Sequence, residues 1–222
     1  MDKECFEHNL QRALLEVPDY RGEFLVVTKY LTPTEMSFLE QTSVVDIAEQ
    51  RVQLLKEKYA FWQNRFRWHF IGPLQTNKVK PVVQICSMIH SVDRLKLAYA
   101  INEEALKQNK KMSILLQVNL TKDSSRQGFS KDQIKDIYKE LKEAKGLNIE
   151  GLMTMGFLIS EASDRRVSEE KIRDSFKTVR NLANTLGLKH CSMGMSQDYK
   201  IAVEEGATFL RLGRVLYKGW LK

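Results

Sequence analysis

Residues 23–29, EFLVVTK, place a lysine where an amine could do chemistry. Phe24, Leu25, Val26 and Val27 form a short apolar run rich in β-branched residues, the pattern of a buried strand. Thr28 and Lys29 close the run, and Leu31-Thr32-Pro33-Thr34-Glu35 follows as a turn and a helix start. Lys29 is therefore expected at the carboxyl end of a core strand, the end where α/β sheets bind ligands. If partly buried there, its amine would lose its proton more readily than at the ordinary ~10.4, because burial disfavours the ammonium. The neutral amine is the form that condenses with an aldehyde to give an imine. The plain alternative is a lysine whose head reaches water and does nothing. A second constellation lies near the other end of the chain. His190-Cys191-Ser192-Met193-Gly194-Met195-Ser196-Gln197-Asp198 and Arg211-Leu212-Gly213-Arg214 each run from a predicted strand into a predicted helix start. Serine hydroxyls and unpaired main-chain N–H groups at such a start favour an anion, phosphate above all. The alternative is ordinary capping by Ser196 or Asp198 and a plain turn at Gly213.

The elements that would position these groups alternate along the chain. Strands are predicted at residues 25–29, 44–48, 68–72, 88–92, 113–119, 149–155, 190–195 and 209–213. Helices are predicted at 34–41, 49–61, 76–86 with an interruption at Pro81, 94–108 with Asp93 as N-cap, 130–144 capped by Ser130, 168–186, 198–205 and 214–221. Strand-helix repetition implies parallel pairing through right-handed crossovers. Eight such units predict a closed (β/α)8 TIM barrel in a single domain spanning 1–222, with its site at the carboxyl ends of the strands. An open doubly wound sheet is the competing architecture. Residues 2–17, within the first 20, are expected to form an added helix packed across the barrel bottom. Residues 160–166 form a polar connection.

Composition narrows the classes. The chain has 222 residues, 43% hydrophobic and 28% charged, with four prolines, which excludes a disordered chain. It has no apolar run near the ~18 residues of a membrane helix, and its start, MDKECFEHNL, lacks a secretory core, so a cytoplasmic protein with no membrane association is expected. Cys5, Cys86 and Cys191 are too scattered for a disulfide framework or a metal motif; free thiols and no metal are expected. The net charge of +7 permits a nucleic-acid or anionic partner. Most basic residues alternate with acids, and the basic-aromatic run Arg65-Phe66-Arg67-Trp68-His69 carries no nucleic-acid-binding signature, so no nucleic-acid partner is expected.

A lysine on the first stave of a barrel, opposite a phosphate cradle from units seven and eight, defines a ligand with an aldehyde at one end and a phosphate at the other. Pyridoxal 5′-phosphate (PLP) fits. The sequence resembles the pyridoxal phosphate homeostasis protein family, the single-domain, PLP-binding relatives of the alanine racemase barrel. The resemblance is carried by VVTK (26–29), WHFIGPLQTNKVKP (68–81), IHSVD (89–93), QVN followed by a serine-bearing loop and Gly128-Phe129, GLMTM (151–155), SMGMSQDY (192–199) and RLGRVLY (211–217), in family order over nearly the whole chain. It implies that Lys29 forms a covalent imine with PLP, and that Ser196, with main-chain groups around Met195, binds the phosphate. It implies a second phosphate loop at Gly213 and Arg214, and Arg211 facing the pyridine nitrogen. For Arg211 a salt bridge at the barrel top is the alternative. One departure stands out: Ile47-Ala48-Glu49-Gln50 replaces the family's usual phenylalanine-glycine-glutamate-asparagine, which alters the loop beside the cofactor. The racemases' further β-domain, which supplies a second base, has no counterpart after unit eight, so the site is expected to be open on one side and without a catalytic residue. The resemblance implies a monomeric PLP carrier in vitamin B6 and amino-acid homeostasis, with PLP-dependent apo-enzymes as partners. The alternatives are a PLP-dependent amino-acid racemase or lyase, a Schiff-base aldolase without cofactor, and an RNA-binding module.

Overall fold

Successive residues of the first strand belong to two different apolar clusters, as a closed sheet requires. The computed structural model describes residues 2–121, 127–155 and 165–220. In β1 (Glu23–Val27), Leu25 and Val27 pack with Ala48, Met88, Leu115, Met153 and Phe209 inside the barrel. Val26 points the other way, into the larger cluster shared with the helices. Side chains alternate across a strand, so one face fills the barrel and the other meets the helical layer.

The remaining strands are β2 (Asp46–Glu49), β3 (Arg67–Phe70), β4 (Met88–Val92), β5 (Met112–Asn119), β6 (Phe129–Ser130), β7 (Leu147–Thr154), β8 (His190–Ser192) and β9 (Phe209–Leu212). Their order is β4-β3-β2-β1-β9-β8-β7-β5, and pairing of β4 with β5 closes the ring. All these pairings are parallel. The short β6 is appended to β5 and forms no stave. The protein is therefore the predicted closed eight-stranded barrel, not an open sheet.

Helices α1 (Lys3–Leu15), α2 (Ser37–Glu40), α3 (Val52–Trp62), α4 (Val79–Ile85), α5 (Leu95–Lys107), α6 (Ile134–Leu141), α7 (Arg165–Thr185) and α8 (Tyr199–Glu204) surround it. Three expectations change. Pro81 does not interrupt its helix: it sits in the first turn of α4, where no intrahelical N–H is needed. The predicted last helix is a run of turns over residues 214–220. And α1 does not cross the bottom. Phe6 stacks on Phe38 and Tyr217, with ring centroids 5.2 and 6.3 Å apart, and Asn9 Nδ2 donates to the carbonyls of Leu216 and Lys218 at 3.1 and 3.0 Å. Those partners follow the carboxyl ends of β1 and β9. The buried face Phe6, Asn9 and Ala13 thus lies on the outer wall, against the turns that stand where a last helix was expected. The polar connection at 160–164 lies outside the described residues. Cys5, Cys86 and Cys191 are free thiols.

The barrel interior also carries a polar line. Asp46 Oδ1 lies 3.0 Å from His69 Nε2, His69 Nδ1 lies 2.9 Å from His90 Nε2, and His90 Nδ1 lies 2.9 Å from Ser192 Oγ. At the floor Arg67 clamps Asp46, with Nη2 2.6 Å from Oδ2. Strand alternation thereby divides the basic-aromatic run: Phe66 and Trp68 face the helices, and His69 faces inward. Burial alone would raise the Asp46 carboxyl, but hydrogen bonds from His69 and Arg67 outweigh it and hold it at about 2. The ordinary value is ~3.9. A carboxyl depressed by folding contributes stability that is complete above its unfolded pKa and lost as pH falls through the folded one. The thermal midpoint of the parent should therefore fall more steeply than that of Asp46→Asn between about pH 4 and pH 2. Parallel curves would refute the assignment.

Candidate functional site

The end of β1 is shaped by its neighbours. Thr28 N–H donates to Ala48 O at 3.0 Å, which prolongs the pairing with β2, and Leu31 N–H returns to Thr28 O at 2.9 Å, which turns the chain. Lys29 sits at that turn. Its side chain is exposed, so the condition of partial burial is not met, and its Nζ lies 4.9 Å from the centre of the Tyr30 ring. The buried lysine is a different one. Lys58 of α3 is fully enclosed and donates to Glu49 Oε2 at 2.5 Å and to Thr28 O at 2.7 Å. Glu49 Oε1 accepts from Gln50 N–H at 2.7 Å, and Oε2 accepts from the Thr28 hydroxyl at 3.3 Å. This pair ties the ends of β1 and β2 to α3 directly behind Lys29. Sequence reading missed it, although Lys58 falls between Leu55 and Tyr59 on the inward side of an amphipathic helix.

Across the mouth, β8 and β9 supply the anion side. Ser196 Oγ accepts from Val215 N–H at 3.1 Å and from Gly213 N–H at 3.4 Å. Ser196 therefore bridges to the turn after β9 and does not cap α8. Asp198 does not cap α8 with its side chain either; its carboxylate takes the Met195 N–H at 2.6 Å. Met195 thus offers its side chain to the cavity wall, while its main-chain donor is already engaged. The cradle consists of loop N–H groups and one hydroxyl, with no long helix behind it.

Arg211 lies inside the barrel top, 3% exposed. Its Nη1 donates to Ser192 Oγ at 2.8 Å and its Nη2 to Thr154 O at 2.9 Å, so its partners are a hydroxyl and a carbonyl, not the carboxylate of a barrel-top salt bridge. Burial lowers its pKa to about 10, with Asp198 opposing, and the guanidinium stays charged at neutral pH.

Lys29, Met195, Ser196, Arg211, Gly213 and Arg214 all line one cavity of about 260 Å³, near the lower end of ordinary ligand pockets. Every residue singled out from the sequence is brought together there. Residues that sequence reading did not single out complete the wall, among them Tyr30, Gly72, Gln117 and Met153. The departure after β2 now has a location. Ala48 fills the barrel interior, Glu49 holds the buried pair, and Gln50 lines the cavity. A Cβ on Gly72 would lie 2.1 Å from the Gln50 carbonyl oxygen, so only glycine lets β3 and β2 approach this closely here.

The family model for the alanine racemase N-terminal domain matches residues 2–219. The chain belongs to that family. Within it, the chain is 36% identical to the pyridoxal phosphate homeostasis protein of Aquifex aeolicus over 170 residues, covering 76% of this chain and 74% of that one. It is 35% identical to the protein of the same name from Synechocystis over 202 residues, covering 90% and 91%. Among solved structures, PipY from Synechococcus elongatus with PLP bound superposes with a TM-score of 0.83 at 26% identity, covering 96% of this chain and 99% of PipY. Alanine racemase of Clostridium difficile, at 17% identity and a TM-score of 0.77, shares the fold; this chain covers 58% of it.

The buried pair gives a test of how this family member holds its mouth in shape. Removing one partner of a buried ion pair leaves an uncompensated charge and costs ~3–5 kcal/mol. Lys58→Met should lose about that much in urea unfolding, and adding Glu49→Gln should recover more than half of it. A loss in Lys58→Met below about 1 kcal/mol, the range of exposed pairs, would contradict this.

Proposed function

We propose that this family member binds PLP as an exchangeable imine on Lys29 and serves intracellular homeostasis of PLP and amino-acid pools without turnover of its own. The observation that carries the reading is the convergence on one cavity of an accessible primary amine, a buried guanidinium and a cradle of N–H and O–H groups. The donor set suits a phosphate-bearing aldehyde with a ring acceptor. The Ser196 hydroxyl would donate to the phosphate, and the Gly213 and Val215 N–H groups, which donate to Ser196 Oγ in this structure, would pass to it. Lys29 would supply the amine, and Arg211 would donate to the ring nitrogen. The relatives named as homeostasis proteins, and the PLP-bound neighbour, support PLP over other phosphate-bearing aldehydes.

When bound, PLP supplies an electrophilic aldehyde carbon and an electron-accepting ring. The chain's own groups moderate that ring. A cation at Arg211 favours an unprotonated ring nitrogen, where a carboxylate would keep it protonated. Among the described lining residues Asp198 is the one carboxylate, and it is held by the Met195 N–H. No free carboxylate among the described residues is thus placed to share proton transfer with Lys29, which favours retention over turnover. We infer a monomer in the cytoplasm that exchanges PLP with PLP-dependent apo-enzymes. Among the described residues no helix is long and apolar enough to cross a membrane.

Purified protein should show a visible imine band with added PLP, and Lys29→Ala should show none; an unchanged band in the variant would overturn the assignment. Measurable interconversion of D- and L-alanine would favour a racemase instead. The phosphate cradle has its own test. A hydrogen bond to a charged group contributes ~1.5–3 kcal/mol, so Ser196→Ala should weaken PLP retention roughly 10–100-fold and leave retention of pyridoxal nearly unchanged. At Gly213 a Cβ would sit 3.4 Å from the Tyr30 ring and 3.5 Å from Val27 Cβ, so alanine fits and a bulkier side chain must crowd the cavity wall. Gly213→Val should discriminate against PLP in the same way. Equal losses for PLP and pyridoxal would place the phosphate elsewhere.

A further inference from the structure

The polar line inside the barrel ends on Arg211, and its two ends fix its direction. A guanidinium can only donate and an ionised carboxylate can only accept. Arg211 gives an N–H to Ser192 Oγ, which leaves the Ser192 hydrogen to point at His90 Nδ1. His90 must then carry its proton on Nε2 and donate to His69 Nδ1. His69 carries its proton on Nε2 and donates to Asp46 Oδ1. Every link is satisfied with both imidazoles neutral. With both imidazoles neutral, the reverse direction needs a proton on Asp46, which the hydrogen bonds to its carboxylate from His69 and Arg67 oppose.

The surroundings hold this state. His90 is fully buried, and burial, with the Arg211 charge adding to it, keeps its basicity well below the ordinary value. The Phe209 ring packs 5.2 Å from it. Asp46 and Arg67 lie at the amino ends of β2 and β3, so the line runs from the barrel floor to the cavity.

We propose that Asp46, His69, His90 and Ser192 are positioning residues: a one-way hydrogen-bonded column, anchored on the floor, that orients Arg211 as a donor into the cavity. The functional consequence rests on Arg211 facing the ligand ring; the column itself does not. With Ser192 and the Thr154 carbonyl each holding one guanidinium nitrogen, the plane of Arg211 is set from below. Its remaining N–H groups are left for the cavity.

Two measurements decide this. In unloaded protein with nitrogen-15-labelled histidine, His69 and His90 should both be neutral with the proton on Nε2 at neutral pH. A charged ring, or a proton on Nδ1 of either, would overturn the column. In protein loaded with PLP, Ser192→Ala and His90→Leu should loosen PLP retention about tenfold and shift the visible band and its pH midpoint. Asp46→Asn, remote from the cavity, should shift the band in the same direction. A role in packing alone would lower the thermal midpoint and leave band and pH profile as in the parent; that result in folded Ser192→Ala and Asp46→Asn would also overturn it. If the parent itself forms no band with PLP, the functional reading fails, and the histidine spectra still decide the column.

Discussion

A fully buried ion pair stands behind the mouth of this barrel, and the geometry of the site depends on it. Glu49 and Lys58 have no exposed surface, and between them they engage the Thr28 carbonyl, the Thr28 hydroxyl and the Gln50 N–H. Two charges withdrawn from water are tolerated only when each is matched and the remaining polar atoms are satisfied. Here the satisfying groups belong to the ends of two strands. The pair therefore fastens the turn bearing Lys29 to the loop bearing Gln50, and α3 to both.

The electrostatics of the cavity follow from what surrounds it. Among the described residues, Lys29, Arg211 and Arg214 line it with one carboxylate, Asp198, which is already bound to main chain. The excess of positive charge suits an anionic ligand. Arg211 differs from the other two in being enclosed. It is held by neutral acceptors, Ser192 and the Thr154 carbonyl, and it lines the cavity, so its unused donors are available to a ligand there.

The barrel interior contains two kinds of order. Leu25, Val27, Ala48, Met88, Leu115, Met153 and Phe209 fill space. Asp46, His69, His90 and Ser192 thread a polar line through that filling, and each of their facing atoms has a partner. In a low-dielectric interior an unsatisfied polar group is costly, so such a line holds one arrangement firmly or is not retained. That firmness reaches the cavity through Arg211.

Much was legible in the sequence. The alternation of β-branched runs with helical spacing determined the eight-stave barrel, because parallel strands joined by helices have few ways to close. Lys29, Ser196, Arg211, Gly213 and Arg214 could be expected near one another because each lies at or shortly after the end of a predicted strand, and strand ends of a parallel barrel converge; they line one cavity. Tertiary structure alone decided the rest. Lys29 is exposed and Lys58 buried, because burial depends on which helix face meets which strand end, and residue type does not reveal it. Glu49 and Lys58 lie nine residues apart along the chain, but His90 and Ser192 are separated by 102 and meet only across the closed interior. A hydrogen bond between such distant residues leaves no periodic trace in the sequence, since the pairing exists only once the ring of strands has closed.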